Sequence, residues 1–298
     1  LKKGDILNIN GLGIKEGEWR AVEGSRYFQS PVLYKENGFK KKEDAQKLIC
    51  ELSTQQPLIC TVEKIERKKE NKNPPLLFNL AELQNVCSKL FKISPDETLS
   101  IVQDLYEKKL VTYPRTDARV LSTAVAKEIY KNISGLRNYP QAGEATQGAL
   151  ELGAYKNIAK TRYTNDKQIT DHYAIIPTGQ GLGALKGLSL TAQRVYETIV
   201  RRFLSIFYPP AVYQKVSLVT KMENESFFSS FKVLLSEGYL KIAANSFAKK
   251  SMAEASGKTP ESEGEGEVSC DEALLAALQK LKKGDILNIN GLGIKEGE

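Results

Sequence analysis

Apolar positions change period twice along this chain, and the changes divide it into three blocks. In the first block, Tyr27 to Tyr34 reads as a strand, and Lys41 to Leu52 has helical spacing at Ala45, Leu48, Ile49 and Leu52. Leu58 to Ile65 alternates in part and predicts a second strand, followed by a polar charged loop over Glu66 to Asn73 and then Pro74-Pro75. In the second block, Leu76 to Tyr208, the helical period dominates. Asn79 is placed to cap a helix through about Phe91. Ser94-Pro95-Asp96-Glu97 combines an N-cap, a first-turn proline and a capping-box glutamate, and predicts a helix to about Lys108 with the stripe Leu99, Val102, Leu105 and Tyr106. A third helix is predicted from Ser122 to Ile133, residues 134–168 read as irregular and polar, and Leu190 to Tyr208 predicts one long helix. The third block returns to a period of two: Ala211–Thr220, Phe227–Leu235, Tyr239–Ile242 and Asp285–Asn290 read as strands, with a helix from Asp271 to Leu281 before the last.

These blocks predict an α+β fold. One β-rich domain is built from two chain segments, residues 1–75 and 209–298, with a helical domain, residues 76–208, inserted between them. Two helices, a short extended connection and a third helix give the insert a winged-helix-like arrangement. One irregularity stands out at the ends. Residues 1–18 recur unchanged as residues 281–298. Natural repeats diverge, and solenoids need three or more copies. Residues 1–18 are therefore treated as a suspected duplicate, with the second copy in its natural context.

Composition narrows the function classes. The chain has 298 residues, 41% of them hydrophobic and 27% charged, within the range of soluble globular proteins. There is no run of 18 apolar residues and no secretory leader pattern, so a cytoplasmic protein is expected. Four cysteines without C-x-x-C spacing and a single histidine argue against a structural zinc site. The net charge of +7 suits a polyanionic partner, and it is uneven: residues 251–267 hold five glutamates against one lysine and read as a flexible acidic loop.

The candidate chemistry sits in Leu110-Val111-Thr112-Tyr113-Pro114-Arg115-Thr116-Asp117. A phenol is a weak nucleophile because its pKa is about 10. A guanidinium two residues on can stabilise a developing phenolate and grip phosphate oxygens in bidentate fashion. Pro114 holds Tyr113 extended, so its ring projects from a turn. His172 is the one side chain here whose ordinary pKa lies near neutrality. Arg201 and Arg202, on polar positions of the long helix, form a solvated face or track phosphates, since backbone contacts need only charge near the strand. The glycines of residues 179–187 lack the lysine-serine pair and preceding strand of a P-loop and read as a plain loop.

Three segments taken together, Pro74-Pro75-Leu76-Leu77-Phe78-Asn79-Leu80-Ala81-Glu82-Leu83-Gln84, then Thr98 to Glu107 running into the Tyr113 motif, then His172-Tyr173-Ala174-Ile175-Ile176-Pro177-Thr178, closely resemble the type IA DNA topoisomerases. The histidine segment looks more like the topoisomerase III branch. The resemblance implies that Tyr113 is the nucleophile that opens one DNA strand and holds the 5′ phosphate as a phosphotyrosine ester. It implies that Arg115 contacts the scissile phosphate and that His172 positions DNA or relays protons. Arg115, Thr116, His172, Arg201 and Arg202 are the expected DNA contacts. The family's second histidine is Tyr173 here. The family also has an acidic D-x-D segment that binds Mg²⁺ and a G-R-V-Q segment that grips DNA, and neither occurs in this sequence. The expectation is therefore a fragment, a β-rich arch plus the tyrosine-bearing domain. It would lack metal ligands, be inactive alone, and have single-stranded DNA and the missing domains as partners. A tyrosine recombinase does not fit, because Tyr113 precedes His172 and His172 is followed by Tyr-Ala-Ile. The alternative function is a non-catalytic module that holds single-stranded nucleic acid.

Overall fold

The computed structural model describes residues 3–11, 14–54, 56–247 and 278–297. The acidic stretch 251–267 and most of the helix predicted from Asp271 lie outside the described residues. The chain divides into two compact units. The first comprises residues 1–70, 213–234 and 263–298, and the second residues 71–212 and 235–262.

The first unit is organised by a nine-stranded antiparallel sheet. Its strands are β1 (Lys3–Gly11), β2 (Ile14–Arg20), β3 (Leu33–Lys35), β4 (Gly38–Phe39), β5 (Ile59–Lys72), β6 (Ala211–Met222), β7 (Glu225–Ser236), β8 (Ile286–Asn288) and β9 (Gly291–Gly297). The order is β3-β4-β1-β2-β7-β6-β5-β8, with β9 pairing with β1. The two identical 18-residue segments thus pair with each other, Leu7 opposite Ile294 and Ile9 opposite Leu292. One helix, α1 (Lys42–Leu52), buries Ala45, Leu48 and Leu52 in this unit's core, which also holds Trp19, Phe39, Val62 and Phe227. Trp19 stacks on Phe39 at 4.8 Å, and its indole N–H donates to Glu225 at 2.6 Å. Glu225 is itself buried on β7 and also accepts from the Ser25 hydroxyl and the Arg26 N–H, so its charge is taken up by three donors.

Several expectations differ here. Residues 27–32 form turns rather than a strand, and only Leu33–Lys35 is extended. The charged run predicted as a loop after Ile65 continues β5 to Lys72. Neighbouring β6 lies alongside it in the sheet, and opposite charges reach it from β6 and β7, Lys221 to Glu63 and Lys232 to Glu70, so polarity does not end the strand.

The second unit is helical: α2 (Leu80–Phe91), α3 (Pro95–Glu107), α4 (Thr123–Gly135), α5 (Gly143–Leu152), α6 (Leu190–Ser205) and the short α7 (Leu240–Ala243). The first three start where side-chain oxygens take up free amides: Asn79 from Glu82, Ser94 from Glu97 and Ser122 from Val125. Their buried positions, among them Leu83, Val102, Leu105, Ile129 and Ile133, share one core with Val195, Ile199 and Phe203 of α6 and with Phe207 just beyond it. Residues 134–168, expected to be irregular, include α5, whose small residues Ala145 and Ala149 let it lie close in the core. Tyr239–Ile242, expected as a strand, turns into α7 against α6, where Arg201 donates to the Ile242 carbonyl.

Candidate active site

The three sequence segments singled out above meet in the second unit, laced by main-chain hydrogen bonds. Ile175 N–H donates to the Phe78 carbonyl at 2.8 Å, and Thr112 N–H to the Ile176 carbonyl at 3.0 Å. Leu80 N–H reaches the Thr116 carbonyl at 3.2 Å, and the Asn79 side-chain amide reaches the Asp117 carbonyl at 3.1 Å. Bridges pair Phe78 with Ile175 and Val111 with Pro177. These segments are extended because each carries the other's backbone partners; none forms a regular strand of its own.

Two threonines reinforce the lacing. The Thr112 hydroxyl donates to the Ala174 carbonyl at 3.0 Å and accepts from Ile176 N–H at 3.0 Å. The Thr116 hydroxyl donates to the His172 carbonyl at 2.8 Å and accepts from Ala118 N–H at 3.1 Å. Thr116 is buried and works as a brace on the histidine segment. Thr178 closes the far end by donating to the Lys109 carbonyl.

Tyr113 and His172 face one another across this bracket, with ring centroids 4.3 Å apart and planes at 42°. Tyr113 is half-buried, while Arg115 and His172 are exposed. Among the described residues Arg115 makes no hydrogen bond or ion pair, so its guanidinium is available to an anion. Alternation along the histidine segment sends Tyr173 the other way. It packs against the helical core, and burial raises its phenol above the ordinary range. Tyr106 was expected in the buried stripe of α3. It lies instead 39% exposed with its ring edge-on to Tyr113 at 5.4 Å, while Thr98, Val102 and Leu105 fill the buried face.

Arg201 and Arg202 do not form a solvated face. Arg201 pairs with buried Glu197 at 3.1 Å and donates to the carbonyls of Gln141 and Ile242. Arg202 donates to the Leu76 carbonyl at 2.9 Å and lies 4.2 Å over the Phe78 ring, clamping the first of the three segments onto α6. The glycine-rich loop has a packing role. Gly179 has φ +77°, and a Cβ there would come 2.7 Å from the Asn132 carbonyl oxygen; a Cβ on Gly135 would come 2.2 Å from the Gly179 oxygen. The end of α4 therefore sits directly against the histidine segment, with Asn132 donating to the Pro177 carbonyl at 3.0 Å. Glycines without a phosphate-loop pattern were the available signal for this contact; Thr112 and Tyr106 left none, because their partners lie far away in sequence or across a turn.

No three His, Cys, Asp or Glu side chains among the described residues lie together as a metal-binding set.

A protein-family profile described as DNA topoisomerase matches residues 18–298. The chain is similar to a DNA topoisomerase 3 of Bacillus licheniformis, 35% identical over 225 residues that cover 75% of this chain and 28% of the relative. It is also similar to a DNA topoisomerase 3 of Bacillus subtilis, 31% identical over 220 residues that cover 74% of this chain and 29% of the relative. The chain thus spans little more than a quarter of the curated relatives it matches. Among solved structures, full-length topoisomerase I from Thermotoga maritima shares the fold with a TM-score of 0.60 at 19% identity, covering 99% of this chain and 40% of that one.

Proposed function

The chain belongs to the DNA topoisomerase family, and on that basis we propose that it is the tyrosine-bearing part of a type IA enzyme of the topoisomerase III kind, acting on DNA in the cytoplasm. The observation that carries the reading is the bracket that sets the Tyr113 phenol against His172, with exposed Arg115 two residues on. In the proposed step the Tyr113 oxygen attacks a backbone phosphorus, and the bond from phosphorus to the 3′ oxygen breaks. The 5′ phosphate stays on Tyr113, the phenol gives up its proton and the departing 3′ oxygen takes one up. The ester exchange conserves most of the bond energy, so resealing needs no ATP. Arg115 takes up charge on the phosphoryl oxygens as it builds. His172, ring against ring with Tyr113, receives the phenolic proton or holds the strand in place.

Thr116 supports this site by fixing the His172 main chain, and Arg202 by holding the Phe78 segment. Arg201 is committed to Glu197, so its support is to the fold of α6. The α2, α3 and α4 group serves as the winged-helix-like element that presents the tyrosine. The described residues do not fit the Mg²⁺ of the family, since no three His, Cys, Asp or Glu side chains among them lie together. No helix among them is long and apolar enough to cross a membrane.

The test is a covalent trap in the complete enzyme. A single-stranded oligonucleotide labelled at its 3′ end should transfer label to the protein, one labelled at its 5′ end should not, and Tyr113→Phe should abolish transfer. Transfer that survives Tyr113→Phe overturns the assignment. The 298-residue chain alone should bind single strands weakly and with strong salt dependence, and should not relax supercoiled DNA.

A further inference from the structure

We propose that Tyr106 is a positioning residue for the Tyr113 phenol, an inference that rests on Tyr113 being the nucleophile. Helix α3 does not simply end before the active loop. Leu110 N–H returns to the Leu105 carbonyl at 2.9 Å and Lys109 N–H to the Tyr106 carbonyl at 2.8 Å, with Lys109 in the left-handed region at φ +61°. This tight reversal brings the chain back over the helix end. There the Tyr113 ring meets Tyr106 in an edge-to-face contact at 5.4 Å and 83°. His172 also contacts the Tyr113 ring, with centroids 4.3 Å apart. The nucleophile is therefore a ring on two rotatable bonds that touches two other rings.

Tyr113 is half-buried and Tyr106 is 39% exposed, outside the core cluster of the second unit. Removing Tyr106 thus opens no interior cavity, but it frees one side of Tyr113. An edge-to-face pair is a modest restraint, and a reacting oxygen displaced by a fraction of its approach distance loses rate steeply. The restraint should act on the chemical step and leave strand binding alone.

The experiment compares Tyr106→Ala and Tyr106→Phe in the complete enzyme. Single-turnover cleavage of a 3′-labelled oligonucleotide is measured beside its binding and the unfolding midpoint. Tyr106→Ala should slow cleavage roughly tenfold, about 1.4 kcal/mol of barrier, with binding and midpoint unchanged, and Tyr106→Phe should restore the rate because the ring edge remains. In the 298-residue chain, tyrosine-labelled NMR should show the Tyr113 ring resonances moving in Tyr106→Ala and staying in Tyr106→Phe. The proposal is overturned if Tyr106→Ala cleaves within about twofold of the parent, if binding or the midpoint falls in step with the rate, or if Tyr106→Phe fails to rescue. A Tyr113→Phe enzyme that still forms adduct would instead remove the reading beneath it.

Discussion

Thr112→Val removes one hydroxyl and keeps the shape, and it should loosen the bracket that carries the Tyr113 ring. That hydroxyl serves both the Ala174 carbonyl and the Ile176 N–H, each at 3.0 Å, and both residues are completely buried. Valine can neither donate nor accept, and water has no ready route to either group. An unsatisfied buried donor or acceptor costs about 1–3 kcal/mol, so the pair should cost at least about 2 kcal/mol in total. The lone tryptophan, Trp19, lies in the first unit, so its fluorescence does not report on this change. The direct assay is hydrogen exchange. The Ile176 amide loses its hydrogen-bond partner, and 2 kcal/mol corresponds to a population shift of roughly 30-fold. Exchange across residues 173–178 should therefore accelerate at least that much, with peptides from β6 and β7 unchanged. Thr116→Val, which breaks the matching pair at the His172 carbonyl and Ala118 N–H, should accelerate the same stretch. If exchange at Ile176 stays within about twofold of the parent in Thr112→Val, the hydroxyl does not hold the bracket and the reasoning fails.

Gly179→Ala should destabilise the second unit by about 3 kcal/mol, through a left-handed φ and a contact with the Asn132 carbonyl that main chain alone must relieve; a denaturant midpoint read by tyrosine near-ultraviolet circular dichroism would check it. Glu225→Leu strips the partners from the Trp19 indole, the Ser25 hydroxyl and the Arg26 amide, and should lower the first unit's stability by about 3 kcal/mol with a shift in Trp19 emission; unchanged emission would count against it. Stability should also fall in alkali. Burial pushes the Cys87 thiol from 9.0 up to about 12 and the Tyr163 phenol from 10.0 up to about 12. The unfolded chain then binds fewer protons than the folded one above pH 9, so the unfolding midpoint should hold below that pH and drop progressively toward pH 12. A midpoint flat from pH 8 to pH 11, about two units past the first of these ordinary values, would contradict the burial of both groups.

What the amino-acid order determined on its own is whatever depends on near neighbours. The starts of α2, α3 and α4 were legible because Asn79, Ser94 and Ser122 cap amides within three residues of themselves. Tyr113 and Arg115 could be proposed as a pair because they lie two residues apart, and the proline beside Tyr113 restricts its backbone before any tertiary contact forms, whereas the placing of His172 against Tyr113 came from the tertiary structure. Tertiary structure decided whatever needs a partner from far along the chain. The charged end of β5 is a strand because β6 lies beside it, and its composition alone favours a loop. Arg201 and Arg202 occupy polar helix positions that any period analysis assigns to solvent, yet Glu197 and the carbonyls of Gln141, Ile242 and Leu76 draw them inward. Tyr106 fits an apolar stripe by count, but it stays exposed and the chain that reverses at Lys109 brings the Tyr113 ring to it. Periodicity says which face of an element is apolar; only packing says what that face, and the polar one opposite, will meet.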